Sequence, residues 1–250
     1  MLVEGTRGDA YDAGELRRRQ VVIGAEGAPI ERSRFVPPPP EELPEGVSKW
    51  EQWVHSDAET HLLVRVCLGH YRFETLHPFS DGNGRLGRLI VALQLIEGGA
   101  LRYPLLNIAE WLEQRKDEYQ NNLLKLSTDG DFSSWIRFFA SGVNAAAEAS
   151  LARIDRLLDV RQSLLDRIRA AGSRGGIGLR IVEELIGYPI IDVPYIANRY
   201  NVSFQAANQA VARLEALGIL RELKERKQKR RIFYAPDVLR GLAGYKGELD

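Results

Sequence analysis

Cysteine is nearly absent from this 250-residue chain: the one residue, Cys67, cannot form an internal disulfide or build a multi-thiolate metal site. It lies in the apolar run from Leu62 to Leu68 and is expected to be a buried, unreactive thiol. Net charge is also missing. Lys plus Arg (34) equals Asp plus Glu (34), so no whole-molecule field draws the chain to nucleic acid or anionic lipid, and any basic site must be local. No apolar run approaches the roughly 20 residues of a membrane-spanning helix. The amino-terminal MLVEGTRGDA has no basic stretch followed by an apolar one, so the expected setting is cytoplasmic, without a membrane partner. No repeat of fixed period appears. What remains is ordinary globular usage, 27% charged and 44% hydrophobic, in a length that suits one large core or two smaller ones.

Two composition shifts divide the chain. Pro37-Pro38-Pro39-Pro40, continued by Leu43-Pro44-Glu45-Gly46, is expected to run extended, and Ala171 to Gly178 has the small residues of a flexible linker. Before the prolines, Gln20–Gly24 and Arg34–Val36 flank Gly27-Ala28-Pro29 and predict a two-stranded hairpin. From Ser48 to Gly172 apolar residues recur at helical spacing, as in Leu151, Ile154, Leu158, Leu165 and Ile168. After the linker, Pro194 opens a short helix (Val193, Ile196, Ala197, Tyr200 inward) that ends near Asn201. Ser203 caps a second, with Ala207, Ala210, Val211, Leu214 and Leu217 inward and Gly218 closing it. Two β-prone runs, Ile219-Leu220 and Ile232-Phe233-Tyr234, flank the stretch Lys224–Arg231, which carries six basic residues and one acid. Helix, tight turn, helix and basic hairpin describe a winged helix-turn-helix. The predicted segments are an amino-terminal segment over 1–48, a helical core over 49–150, a connecting helix and linker over 151–175, and the winged module over 176–250.

The sharpest motif is His77-Pro78-Phe79-Ser80-Asp81-Gly82-Asn83-Gly84-Arg85-Leu86-Gly87-Arg88. Helical patterns over about 58–76 and 85–96 place it in a loop at a helix amino terminus. Backbone N–H groups of a Gly-Asn-Gly turn, with the helix dipole, form a concave anion site, and Arg85 and Arg88 add charge. His77 carries the one side chain there that titrates near neutrality and so accepts a proton from an attacking hydroxyl. Asp81, the only carboxylate, suits one Mg²⁺ beside bound phosphates. The G-x-G-x-x-G embedded here is not a dinucleotide fingerprint, because helix and His-Pro precede it rather than a strand. No P-loop signature occurs.

The motif resembles HPFxDGNGRxxR of the Fic (filamentation induced by cAMP) domain family, matching all nine fixed positions. The resemblance implies a mainly α-helical Fic core with a small β-hairpin flap, plus the winged helix common in relatives. It implies AMP transfer from ATP to a Tyr, Thr or Ser hydroxyl of a target protein, with auto-modification and homodimers as family habits. His77 would be the general base and Asp81 the Mg²⁺ ligand. Gly82, Asn83, Gly84 and Arg85 would cradle phosphates, and Arg88 would meet the γ-phosphate. Flap residues Val22, Ile23 and Gly24 would border the nucleotide and align a target strand. Tyr119 falls where relatives often carry a Tyr-Tyr pair near the adenine; Gln120 stands in the second place here. Gly84 favours AMP transfer over the kinase-like branch, which has Lys there.

Val3-Glu4-Gly5-Thr6 resembles the tail of the family's inhibitory [ST]xxxE[GN] pattern, with Glu4 as the regulatory partner of Arg88. Its Ser or Thr would fall before residue 1, so the chain is expected to begin inside that element; a solvated Glu near a chain end is the plainer alternative. The Asp57/His61 spacing of i, i+4 is a weak metal signal beside ordinary helix-face roles. Gln205, Asn208, Gln209 and Arg213 on the second winged-module helix, with Lys227 and Arg230 of the wing, are candidate DNA contacts. Two other functions compete with AMP transfer: a transcriptional regulator with a nucleotide-sensing core, and a hydrolase that removes AMP from targets, for which Glu4 is the only candidate water-orienting group.

Overall fold

The computed structural model describes residues 14–24, 30–55, 59–172, 175–223 and 231–243. The chain divides into two units, residues 1–150 and 151–250. The division falls inside a 39-residue helix, so the small-residue stretch that follows that helix lies within the second unit.

The first unit is helical. α1 (Leu43–Val54), α2 (Leu62–Leu76), α3 (Asn83–Glu97), α4 (Ala109–Gln114), α5 (Lys116–Asp129) and the start of α6 (Phe132–Ala170) follow one another. The proline run is extended only as far as Pro39, and α1 begins where the sequence pattern predicts continued extension. Pro44 sits in the first turn of α1, where a missing N–H costs nothing and a fixed φ suits the helix. Gly46 is there for packing: a Cβ on it would come within 2.7 Å of Leu76 Cδ2 on α2. His61 caps α2, its Nδ1 accepting from Leu63 N at 3.2 Å. Asp57, its proposed metal partner, lies outside the described residues, among which no cluster of metal-ligating side chains occurs.

The core of this unit gathers Val66, Cys67, Val91, Leu95, Ile108, Leu112, Trp135 and Phe139. Trp135 Nε1 donates to Cys67 O at 3.1 Å, which satisfies the indole where water is excluded. Burial pushes the Cys67 thiol up to about 12, so it is the inert thiol expected. The flap is smaller than the two-stranded hairpin predicted. Ile23 and Phe35 exchange backbone hydrogen bonds at 2.9 and 3.1 Å, and that is the one bridge among the described flap residues. A narrow ribbon without a third strand gains little from lengthening, and the prolines after Val36 have no N–H to continue it.

The second unit contains the end of α6, then α7 (Ile177–Glu184), β1 (Ile190–Asp192), α8 (Val193–Tyr200), α9 (Phe204–Ala216), β2 (Arg221–Leu223), β3 (Ile232–Tyr234) and α10 (Pro236–Ala243). The strands form an antiparallel sheet in the order β1-β3-β2, with Phe233 facing Ile191 on one side and Glu222 on the other. The predicted caps are present: Ser203 accepts from Ala206 N, Asn201 ends α8 with φ 51°, and Gly218 follows α9 with φ 66°. The first strand of the pair lies two residues later than predicted, because Ile219 and Leu220 are core residues before it. β1 has no counterpart in the sequence prediction. On α6 only Leu165 and Ile168 of the predicted stripe are buried; Leu151 and Leu158 are more than half exposed. Periodicity shows that these residues share a face, not that something covers it. No described helix is long and apolar enough to cross a membrane.

Candidate active site

His77 terminates α2. Its own N–H still bonds Phe73 O at 3.0 Å, but its φ is 46°, in the left-handed region. Pro78 enforces the stop, since the residue before a proline is kept out of the helical region. The loop then closes around Asn83, which is 1% exposed. Asn83 Oδ1 accepts from Phe79 N at 2.9 Å and its Nδ2 donates to Phe79 O at 2.7 Å. The Asn83 side chain is therefore committed to holding the loop, and what it offers a ligand is its backbone N–H at the start of α3. Gly82, with φ 84°, makes the turn into α3, and its N–H already serves Asp81 Oδ1 at 2.7 Å. Gly84 leaves room for Arg88, whose Nη1 lies 3.1 Å from where a Cβ would stand.

A cavity of about 310 Å³ opens beside this loop. His77, Gly84 and Arg88 form one side, Ile23 and Phe35 of the flap another, and Leu112, Tyr119 and Leu123 the apolar remainder. The lining is largely apolar but also holds Arg34, Glu113 and Lys116 besides His77 and Arg88, a mixture that suits a ligand with an anionic part and an apolar body. Of the predicted site residues, Ile23, His77, Gly84, Arg88 and Tyr119 line it. Val22, Gly24, Asn83 and Arg85 do not, though each adjoins a lining residue in the chain; Asp81 and Gly82 do not line it and adjoin no lining residue. Gln120, the departure from the Tyr-Tyr pair, lines it as well. Glu4 lies outside the described residues.

Burial holds the His77 imidazole down to about 4; the Glu74 carbonyl favours the charged form, the Arg17 guanidinium opposes it, and Asp81 favours it. At neutral pH the ring is thus neutral and able to accept a proton. Its Nδ1 is buried with no hydrogen-bond partner among the described residues. Asp81 is different: its side chain is 42% exposed, and Oδ2 meets only the equally exposed Arg85 Nη2 at 3.2 Å. A carboxylate with one oxygen fixed by a backbone N–H and the other held only by an exposed guanidinium fits a magnesium ion that is otherwise held by phosphates and water.

Sequence reasoning missed two residues here. Arg17 is 2% exposed and is spent entirely on backbone carbonyls. Its Nε donates to His77 O at 2.9 Å, its other nitrogens to Arg19 O and Pro38 O, and its backbone N–H to Pro78 O. It ties the amino-terminal segment and the proline run to the His77 loop, across 60 residues of sequence, with no local pattern to betray it. Glu74, the second, lines the cavity one turn before His77, and that spacing was readable. Tyr119 is positioned by His70. The ring's Nδ1 faces Gly87 O at 3.3 Å and must donate, so Nε2 accepts from Tyr119 Oη at 2.9 Å.

In the second unit Gln205, Asn208, Gln209 and Arg213 are exposed on α9, as predicted, but Arg213 Nη2 donates to Ala171 O at 2.7 Å. Arg231 is paired twice with Glu222, at 3.0 and 2.8 Å. Lys227 and Arg230 lie outside the described residues.

Residues 1–95 match the Fic/DOC family. The "Protein adenylyltransferase Fic" of Drosophila ananassae is 34% identical over 134 residues, covering 53% of this chain and 24% of the relative. That of Drosophila willistoni gives the same values. The alignment thus spans about a quarter of these relatives' length. Among solved structures, a Fic family protein from Desulfovibrio desulfuricans G20 superposes with a TM-score of 0.52 at 20% identity, covering 92% of this chain and 64% of that one, a likeness of fold. The matched segment contains the loop from His77 to Arg88, so the similarity to the Fic/DOC family includes the motif itself.

Proposed function

We propose that this chain transfers AMP from ATP to the hydroxyl of a Tyr, Thr or Ser on a target protein, itself included, and releases pyrophosphate. The observation that carries the reading is the neutral, half-buried His77 lining a cavity that also presents Arg88 and the amino terminus of α3. The target hydroxyl oxygen attacks the α-phosphorus, and the bond from that phosphorus to the pyrophosphate oxygen breaks. The His77 imidazole takes the hydroxyl proton. The first-turn N–H groups of α3 and the Arg88 guanidinium hold the polyphosphate as charge builds on the leaving group. Asp81 would hold magnesium, which when bound neutralises phosphate oxygens. Both backbone groups of Ile23 are taken by Phe35, so an extended target segment would add beside the flap through the backbone of Val22 and Gly24.

Incubation with Mg²⁺ and α-labelled ATP tests this. The wild-type chain should label itself or an added hydroxyl-bearing target, and His77→Ala should lower the rate by about 10²- to 10⁴-fold. Equal labelling of both chains, or none of either, overturns the reading. A second reading, DNA contact through α9, is favoured by the exposure of Gln205, Asn208 and Gln209. Its signature is a duplex affinity that falls steeply with salt.

A further inference from the structure

Glu74 stands on α2 one turn before His77, and nine-tenths of it is buried. Its Oε1 has no hydrogen-bond partner among the described residues and lies against α3, where a Cβ on Gly87 would fall 2.5 Å from it. The carboxyl lines the same cavity as His77, Gly84 and Arg88. Arg88 in turn makes no ion pair with any other described residue, and its charge acts on Glu74 without direct contact. The other titratable groups nearby are His70 and His77 on the same helix and Tyr119 on α5; Arg34, Glu113 and Lys116 line the cavity too. Burial outweighs the attraction of Arg88 and pushes the Glu74 carboxyl up to about 7.

A buried carboxylate left without a partner is costly. It becomes more so when a polyphosphate enters the same cavity, because like charges in a low-dielectric site repel and the phosphate competes for the Arg88 guanidinium. We propose that Glu74 is a further residue of the nucleotide site, a carboxyl that opposes Arg88 in the free protein and takes a proton from solvent when terminal phosphates reach that arginine. The inference rests on the AMP-transfer reading, in which Arg88 meets the γ-phosphate. Glu74 thereby sets how strongly the cavity prefers a triphosphate to a monophosphate, and makes that preference weaken as pH rises through neutrality.

Calorimetric titration of the wild-type chain and Glu74→Gln with ATP in Mg²⁺, and with AMP, at pH 6, 7 and 8 tests the proposal. The ratio of variant to wild-type ATP affinity should rise about tenfold from pH 6 to pH 8, and the nucleotide's own ionisation cancels in that ratio. For AMP the ratio should stay near one. The wild-type chain alone gives a second readout, independent of how the variant folds. At pH 8, in two buffers of different ionisation enthalpy, ATP binding should take up close to one proton. A pH-independent ratio, or no proton uptake by the wild type, overturns the role of Glu74 while leaving nucleotide binding in place. Absence of ATP binding by the wild type overturns the nucleotide site and this proposal together.

Discussion

His70 and His77, seven residues apart on α2 and its cap, are both neutral in the folded protein at pH 7, because burial holds each down to about 4. In the unfolded chain both regain the usual value near 6.5 and bind protons below it. Their contribution to stability is therefore complete above pH 6.5 and is lost as pH falls toward 4, at up to about 1.4 kcal/mol per pH unit for each ring. Glu74 works in the opposite direction. Its folded value near 7 exceeds the ordinary 4.5, so its contribution is complete below 4.5 and is lost as pH rises through 7. Between pH 4.5 and 6.5 the carboxyl cancels one imidazole. Denaturant titrations in that window should show stability falling by about 1.4 kcal/mol per unit of acidification in the wild type. In Glu74→Gln the slope should double to about 2.8 kcal/mol per unit, and an unchanged slope would mean that Glu74 ionises as it does in the unfolded chain.

Among the elements, the loop between α2 and α3 is held from within by Asn83, while Arg17 bonds its first carbonyl from outside. Asn83→Ala removes both partners of the Phe79 backbone, a loss of about 1–3 kcal/mol for each buried group left unpaired. It should depress AMP transfer far more than its effect on melting temperature, since His77 and α3 are aligned through that loop; parallel activity and melting measurements check this. The twelve-residue motif was legible because loop, helix start and functional groups are contiguous in sequence. Ser203, Pro194 and Gly218 were legible for a related reason: caps and stops act within a turn of themselves. What escaped was set by distant partners. α1 begins at Leu43 because Gly46 meets Leu76, β1 exists because Ile191 finds Phe233, and Arg17 is anchored to carbonyls 21 and 60 residues away. The exposed half of the α6 stripe fails in the reverse sense, a clear periodic signal without a covering partner among the described residues.

At the scale of the whole molecule, each unit has a hydrophobic core of its own, one around Trp135 and Phe139, the other around Leu214 and Phe233. Damage should stay where it is made. Leu214→Ala should destabilise the second unit by about 2–5 kcal/mol and leave ATP affinity unchanged well below the melting temperature. Phe139→Ala, at about 3–5 kcal/mol, should lower both stability and nucleotide binding, and calorimetry of unfolding beside ATP titration separates the two cases. The left-handed backbone at residue 77 has a further consequence for the molecule as an object of selection. An L-residue held at φ 46° gives up about 1–2 kcal/mol that glycine would not. His77→Gly should therefore melt above His77→Ala, by about 1 kcal/mol in stability. A library of this protein screened for heat resistance alone would enrich glycine at position 77, and every survivor carrying it would have lost the imidazole proposed as the base.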